Sequence, residues 1–346
     1  MRTPQGLFNI FTYTYFALLI SIFFINQTGP ENFLFTFVNL YLPQGYWAIP
    51  LAPLLIGTFF IKNSRLVNIT SCSLMLAFVI LVLMDFRFSG RLLNKGSNST
   101  TTTTATAKPI RFMTYNVAGG KSTDALIKII TDESPSVILF QESSTDFLRD
   151  FKASFPAWNI ASSNDLMIVS VYEISDFKRT ELPRLSNDEW KHPAYVRAVV
   201  NNGPSRFAVY NTHLSTPREA LNAIRHRESN FYKSVKTNIR DRELQSNQLA
   251  AAVSKEKLPF ILGGDFNAPE NSIMISPFIK LGLKNVFSER GLGFGYTKGH
   301  DLQLGFSFIR IDHIFISSEW LPVLSQVGSS LGSDHRPVLA DVLLAK

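Results

Sequence analysis

Five short fragments set Asn, Asp, Glu or His against brief apolar runs. They are Thr114-Tyr115-Asn116-Val117, Gln141-Glu142, Asn211-Thr212-His213-Leu214, Gly263-Gly264-Asp265-Phe266-Asn267 and Gly332-Ser333-Asp334-His335-Arg336-Pro337-Val338. The runs are rich in Val, Ile, Phe and Leu and have strand length. Polar residues at the ends of such strands collect at one edge of a sheet. Hard oxygens and imidazoles gathered there suit the cleavage of a phosphate ester: oxygens hold a divalent cation, and imidazoles carry protons and offset developing charge. Asp265 and Asn267 flank Phe266, so alternation sends both to one face and Phe266 to the core. No side chain has the setting of a covalent nucleophile. Ser333 lacks the sharp strand-turn-helix context of a nucleophile elbow.

The elements that position these groups follow from the hydrophobic pattern. Strands are expected over 110–117, 136–141, 166–171, 195–200, 206–212, 258–263, 310–316 and 337–344. Ser122 reads as the N-cap of a helix through 130, with Leu126, Ile129 and Ile130 on one face. A long helical region covers 217–255 and a shorter one follows Pro277. This alternation predicts an α/β domain over 108–346, a four-layer sandwich of two packed β-sheets flanked by helices.

The first 85 residues are different. Residues 7–26 carry no charge over 20 positions, and a helix of that length rises about 30 Å, the thickness of a bilayer's hydrocarbon core. No small-x-small cleavage site follows in Gln27-Thr28-Gly29-Pro30, so a membrane span is favoured over a cleaved signal peptide. Further spans are expected from 43–46 to 61 and over 66–84. Between the first two, 33–42 reads as an interfacial helix, with Tyr46 and Trp47 at headgroup level. The expected organisation is a membrane domain with three transmembrane helices at 1–86, a polar Ser/Thr-rich linker at 87–107 and the catalytic domain at 108–346. Asn98-Ser99-Thr100 in the linker matches a glycosylation acceptor. The loop after the first span has no Lys or Arg, and the next carries Lys62 and Arg65. Positive-inside logic then sets the chain after the third span outside the cytoplasm, against the counter-signal of Arg87, Arg91 and Lys95.

Of the 34 basic and 27 acidic residues, 28 and 25 lie after residue 106, a net charge of +3. That is no nucleic-acid footprint, and the overall pI near 9.4 owes much to cations flanking the apolar segments. The single cysteine, Cys72, excludes an intrachain disulfide and reads as a small buried hydrophobe.

The five fragments, together with Arg310-Ile311-Asp312-His313-Ile314-Phe315, stand in the order and at the approximate spacing found in the endonuclease/exonuclease/phosphatase superfamily. Residues 108–346 resemble that family, which includes proteins similar to pancreatic deoxyribonuclease, neutral sphingomyelinases and inositol-polyphosphate 5-phosphatases. With the preceding spans, the chain resembles a bacterial membrane-anchored subgroup linked to glycopeptide resistance.

The resemblance implies roles residue by residue. Glu142 is the principal Mg²⁺ ligand, with Mn²⁺ as a substitute ion. Asn116 assists by ligation or by orienting the scissile phosphate, and Asp334 completes the metal shell or orients an imidazole. Asp265 orients or deprotonates water, and Asn267 holds a phosphate oxygen. His213 and His335 are acid-base or charge-stabilising groups, and Asp312 pairs with a histidine to fix its tautomer. His313 points away by alternation and is structural, and His192, His226 and His300 belong to surface or loops. Relatives often carry Ser-Arg where this chain has Ser170-Val171-Tyr172, so a basic phosphate contact is missing or supplied by Arg197 or Arg310.

The expected function is a membrane-anchored, Mg²⁺-dependent phosphoesterase of a bacterial inner or plasma membrane, its catalytic domain extracytoplasmic. Membrane lipids are its partners, and its substrate is a lipid-linked phosphate ester or diphosphate: a phospholipid, a sphingolipid or an isoprenoid diphosphate. No protein partner follows from the sequence. A membrane-tethered nuclease and a non-catalytic binding module are the alternatives. The near-neutral domain argues against the first, and the intact Glu142, His213, Asp265, Asn267 and His335 argue against the second. Two further features carry open readings. The basic segment Arg218, Arg225, Arg227, Lys233, Lys236, Arg240 and Arg242 is a solvated helix face or a lid for anionic groups. Phe294, Tyr296, Leu304, Phe306 and Phe308 are core or an apolar lip.

Overall fold

The computed structural model describes residues 4–61, 65–88, 108–119, 123–185, 193–330 and 332–345. Lys62, linker positions 89–107 with Asn98, the Ser122 cap and His192 lie outside them. The chain divides into two compact units, Met1–Arg87 and Phe88–Lys346.

The first unit is helical: α1 (Pro4–Gln27), α2 (Leu34–Leu40), α3 (Leu51–Phe60) and α4 (Arg65–Phe78), the last running on through a π-helical turn, Val79–Leu83. Among the described residues, two segments are long and apolar enough to cross a membrane, Pro4–Gln27 and Arg65–Leu83. The expected middle span does not form as one helix. Pro43 precedes a 3-10 turn at Gln44–Ala48, Pro50 precedes α3, and α3 has only 10 residues. Proline removes a backbone donor and clashes with the preceding turn, and ten residues rise about 15 Å, half of a hydrocarbon core. Trp47 Nε1 donates to Asn39 Oδ1 at 3.1 Å, and the Tyr46 hydroxyl donates to the same oxygen. Cys72 is buried.

The second unit holds two mixed six-stranded sheets. The first runs β11-β12-β1-β2-β4-β3 and the second β5-β6-β7-β8-β10-β9. Their strands are β1 (Ile110–Asn116), β2 (Val137–Gln141), β3 (Asn159–Ser163), β4 (Leu166–Ser170), β5 (Glu173–Glu181), β6 (Ala194–Asn201), β7 (Arg206–His213), β8 (Phe260–Asp265), β9 (Lys284–Asn285), β10 (Asp312–Ile316), β11 (Trp320–Val327) and β12 (Val338–Leu344). The pairs β1/β2 and β7/β8 are parallel, so each brings two strand ends to the same edge.

Alternation along the strands builds four layers. Phe112, Leu139 and Ile168 face Val196, Val209 and Ile314 in the core between the sheets. On the outer face of the first sheet, Met113, Ile138 and Phe140 pack against α5 (Thr123–Glu133) and α6 (Thr145–Ser154) through Leu126, Ile130, Phe147 and Phe151. On the outer face of the second, Tyr210, Leu262 and Phe315 meet Leu249 and Val253 of α8 (Phe231–Val253) and Phe278 of α9 (Ser276–Lys280). The helical stretch expected over 217–255 is broken into α7 (Arg218–Arg225) and α8. The break falls at Arg227, whose φ of 52° is left-handed and cannot continue a helix.

Two devices draw the sheets together beneath the polar edge. Gln141 Nε2 donates to Asn211 Oδ1 at 2.6 Å, and Asn211 Nδ2 donates to the carbonyls of Phe140 and Met167 at 2.8 and 3.0 Å. This buried amide bridge ties β2 and β4 to β7. The Gly263-Gly264 pair permits close approach. A Cβ at Gly263 would lie 2.7 Å from Leu139 Cδ1, and one at Gly264, where φ is 145°, would lie 2.0 Å from the Thr212 carbonyl oxygen.

Candidate active site

The parallel pairs deliver their last residues to one place. Asn116 aligns with Gln141, so Glu142 follows one step beyond. His213 aligns with Asp265, and Asp265 is opposite Asp312 at the start of β10. Asn116 Nδ2 bridges the two sheets, donating to Glu142 Oε1 at 3.1 Å and to Asp265 Oδ2 at 3.0 Å. Its Oδ1 accepts from the Ala118 amide at 3.0 Å. Asn116 therefore presents its donor to the carboxylates and aligns them. Glu142 stands at the cleft, 35% exposed, at a left-handed φ of 53° that turns the chain sharply after β2.

Asp265 is 1% exposed and lies between two imidazoles. Its Oδ2 is 3.7 Å from His213 Nε2 and 3.7 Å from His335 Nε2. Each imidazole is fixed from behind by a carboxylate: His213 Nδ1 donates to Asp165 Oδ2 at 3.2 Å, and His335 Nδ1 to Asp312 Oδ2 at 2.9 Å. The Thr297 hydroxyl accepts from the amides of Ile311 and Asp312 and sets the start of β10. Ser333 Oγ donates to the Asn116 carbonyl at 2.7 Å and accepts from the His335 amide at 3.0 Å, which anchors the loop carrying His335.

Charge follows from this geometry. Burial alone pushes both histidines down, but the surrounding carboxylates outweigh it. His213 is raised by Asp165, Asp265 and Glu142. His335 is pushed up to about 9 by Asp312 and Asp265, against an opposing effect of Lys298. The Asp265 carboxyl is raised by burial and by Asp312, with both histidines and Asn116 opposing. His313 points away from the site. Its Nε2 donates to the Ala268 carbonyl at 2.8 Å, its Nδ1 accepts from Asn285, and burial and Arg310 hold it down at about 4.

The remaining expected residues take specific places. Asn267 is 8% exposed with φ 51°. Its Nδ2 donates to the Leu214 carbonyl at 2.8 Å, and its own carbonyl accepts from the fully buried Arg242 at 2.6 Å. One Asp334 oxygen is taken by Lys298, and Oδ1 lies 4.0 Å from His335 Nε2. Asp334 is held below the usual carboxylate range. Burial opposes this, while Lys298, His335 and Arg218 favour the charged form. Arg197 and Arg310, expected as phosphate contacts, are committed elsewhere, to Glu256 and Glu270.

Arg179 of β5 lines the cleft, and it too is committed to acids, with its Nε 2.6 Å from Glu181 Oε1. Its Nη1 is 3.2 Å from Asp165 Oδ1, while Asp165 Oδ2 holds His213. The cleft, of 430 Å³, is lined by Glu142, Ser143, Asn164, Asp165, Arg179 and His213. Sequence reasoning missed Asp165 and Arg179. Asn164-Asp165 looks like a turn dipeptide, and it does turn the chain between β3 and β4. Only the tertiary fold turns Asp165 toward His213.

Hard oxygen donors suit a divalent cation. Among the described residues, Asp265, Asp312 and His335 form the group of Asp, Glu and His whose donor atoms lie within 4.8 Å of one another. Asp312 Oδ1 and Asp334 Oδ1 are buried without hydrogen-bond partners, and such oxygens are stabilised by a cation.

Two acid-histidine pairs thus stand around a buried carboxylate, at one edge of two packed sheets. The chain belongs to the endonuclease/exonuclease/phosphatase family, whose model matches residues 113–335. Solved structures agree in fold. One is an endonuclease/exonuclease/phosphatase from Bacteroides vulgatus, with TM-score 0.55 and 16% identity over 69% of this chain and 100% of that one. The mannosyl-6-phosphatase of Bacteroides thetaiotaomicron gives TM-score 0.50 and 16% identity over 68% and 100%. D. rerio TDP2, complexed with a single-strand DNA product, gives TM-score 0.52 and 14% identity over 68% and 100%. No curated protein sequence matches the chain.

Proposed function

We propose that this protein is a membrane-anchored, Mg²⁺-dependent phosphoesterase acting on a lipid-linked phosphate ester or diphosphate. The observation that carries the catalytic part is the placement of Asp265 Oδ2 at 3.7 Å from the Nε2 atoms of both His213 and His335, each held by its own acid.

Asp265 holds the attacking water and accepts its proton as the water oxygen bonds to phosphorus. His335, protonated at neutral pH, gives its Nε2 proton to the leaving oxygen as the ester bond breaks. Asp312 keeps the Nδ1 proton in place and stabilises the imidazolium. His213 adds positive charge beside the phosphoryl oxygens, and Asp165 with Arg179 fixes its ring. Asn116 aligns Glu142 and Asp265, and Glu142 would hold Mg²⁺, which supplies Lewis-acid stabilisation of the phosphoryl oxygens when bound.

The lipid part rests on the first unit and on charge. Pro4–Gln27 and Arg65–Leu83 have the length and composition of membrane spans. A catalytic unit tethered to them meets bilayer substrates at high effective concentration. A net charge of +3 after residue 106 leaves few cations for a duplex. If residues 43–61 also cross, the cation-free first loop and the Lys62/Arg65 loop favour an extracytoplasmic catalytic unit; with Pro4–Gln27 and Arg65–Leu83 as two crossings, that unit returns to the side of the N-terminus.

The test is a substrate panel with full-length protein in detergent: an isoprenoid diphosphate, phospholipids, inositol phosphates and duplex DNA, each with Mg²⁺ or chelator. Mg²⁺-dependent release from a lipid substrate supports the proposal. Efficient cleavage of DNA with every lipid untouched replaces it with a tethered nuclease.

A further inference from the structure

A second groove, of 630 Å³, shares no lining residue with the catalytic cleft. It lies between α10 (Val286–Arg290), the segment 291–296 and β11. Apolar side chains, Phe287, Leu292, Phe294, Tyr296, Leu324 and Val327, form part of its walls, with Ser307, Ser325 and Gln326 between them. The rings of Phe294 and Tyr296 stack at 5.1 Å and 9°. Leu292 is 59% exposed.

Two guanidiniums, Arg290 and Arg336, face the same groove. Arg290 Nε and Nη1 donate to the carbonyls of Pro322 and Glu289, both at 3.1 Å. Arg336 Nε donates to the Gly328 carbonyl at 2.8 Å. Neither has an ion-pairing carboxylate among the described residues. By contrast Arg111, Arg179, Arg197 and Arg310 each hold an acid. The acid that reaches this face, Glu133, is engaged by Gln326 and Arg111.

Half-buried cations gain most from a counter-ion where apolar walls exclude water. Two cations without an acid, set in an apolar and aromatic groove, are complementary to a molecule with an anionic head and a hydrocarbon tail. We propose that this groove binds an anionic phospholipid, with its phosphate on Arg290 and Arg336 and an acyl chain along Leu292, Phe294 and Tyr296. Having only two cations favours a lipid over a nucleic acid, which needs repeated phosphate contacts. This inference is independent of which substrate the catalytic cleft takes.

The test uses full-length protein in a nonionic detergent with a phosphatidylglycerol that carries a photoreactive acyl chain, crosslinks being located by mass spectrometry. Crosslinks are expected within 287–296 and 324–327. Unlabelled dihexanoyl phosphatidylglycerol should suppress them, and its phosphatidylcholine counterpart should not. Combined Arg290→Gln and Arg336→Gln should lower labelling at least about tenfold, the loss of one charge-assisted hydrogen bond or more. Leu292→Gln, at an exposed position where folding is not at stake, should also reduce it. Three results overturn the proposal: crosslinks confined to other segments, equal suppression by the choline lipid or by inorganic phosphate, and stronger suppression by an oligothymidylate. Undiminished labelling in both the double variant and Leu292→Gln does so as well.

Discussion

Replacing Asp312 by Asn keeps the size of a buried side chain and removes its charge from the Nδ1 side of His335, 2.9 Å away. Asp312 is the largest upward influence on that imidazole, which stands at about 9 against an ordinary 6.5. The difference corresponds to a preference for the imidazolium on the order of 3 kcal/mol. If Asp312 supplies about half of this, the imidazole of the variant titrates roughly one pH unit lower. The sign follows directly. A raised value keeps His335 protonated to higher pH, so the alkaline limb of kcat should move down from about 9 toward about 8. The tautomer also loses its anchor, and kcat should fall by about 10²–10⁴, the range of general acid-base contributions, with KM little changed. The assay is the pH dependence of Mg²⁺-supported hydrolysis, with thermal melting as a control for folding. A kcat within about threefold of the parent and an unmoved alkaline limb would refute the role of the Asp312–His335 pair.

Three other outcomes are expected. Glu256 accepts from Arg197 and the Tyr210 hydroxyl, each at 2.7 Å, and although burial pushes it up, these partners and the Leu258 amide hold it at about 2. Its folded value is below the ordinary 4.5, so its stabilisation is present above that pH and lost as pH falls from 4.5 to about 2. Glu256→Gln should therefore cost about 2 kcal/mol at pH 7 after allowance for solvent screening, and melting curves should draw together below pH 4.5 and converge with the parent's only near pH 2. Gly264→Ala would set a methyl 2.0 Å from the Thr212 carbonyl oxygen. Destabilisation by about 3 kcal/mol is expected by chemical denaturation, and an unchanged midpoint would show that β7 and β8 can part there. A reporter fused after Lys346 should behave as extracytoplasmic if residues 43–61 make a third crossing, and cytoplasmic activity would leave Pro4–Gln27 and Arg65–Leu83 as two crossings.

The central architecture was legible because strand periodicity and strand-end polarity are local properties. All eight expected strands coincide with observed ones to within two residues at each end. The four that escaped have physical reasons. β3 and β5 lie at sheet edges and are largely polar, β9 has two residues, and β11 contains Pro322 and an irregular register beside it. The site was legible where a motif residue ends its own strand, as Asn116, His213 and Asp265 do. It was not legible where a partner arrives from a distant turn: nothing near Asp165 in sequence names His213, 48 positions away. Arg197 and Arg310 were plausible phosphate contacts by type, but they are occupied by acids that only the fold brings near. The middle apolar segment is not one helix because the prolines at 43 and 50 interrupt it, which its composition does not reveal.

The most direct test of the central claim is a Mg²⁺ titration of full-length protein and Glu142→Gln, in the same detergent, on an isoprenoid diphosphate and on duplex DNA. The account predicts hydrolysis of the lipid diphosphate that rises with Mg²⁺ and is abolished by chelator. It also predicts slower action on DNA at about 0.15 M salt, and a rate in Glu142→Gln below about a tenth of the parent's at every Mg²⁺ concentration. A variant that keeps more than that, or lipid hydrolysis indifferent to Mg²⁺, would contradict it.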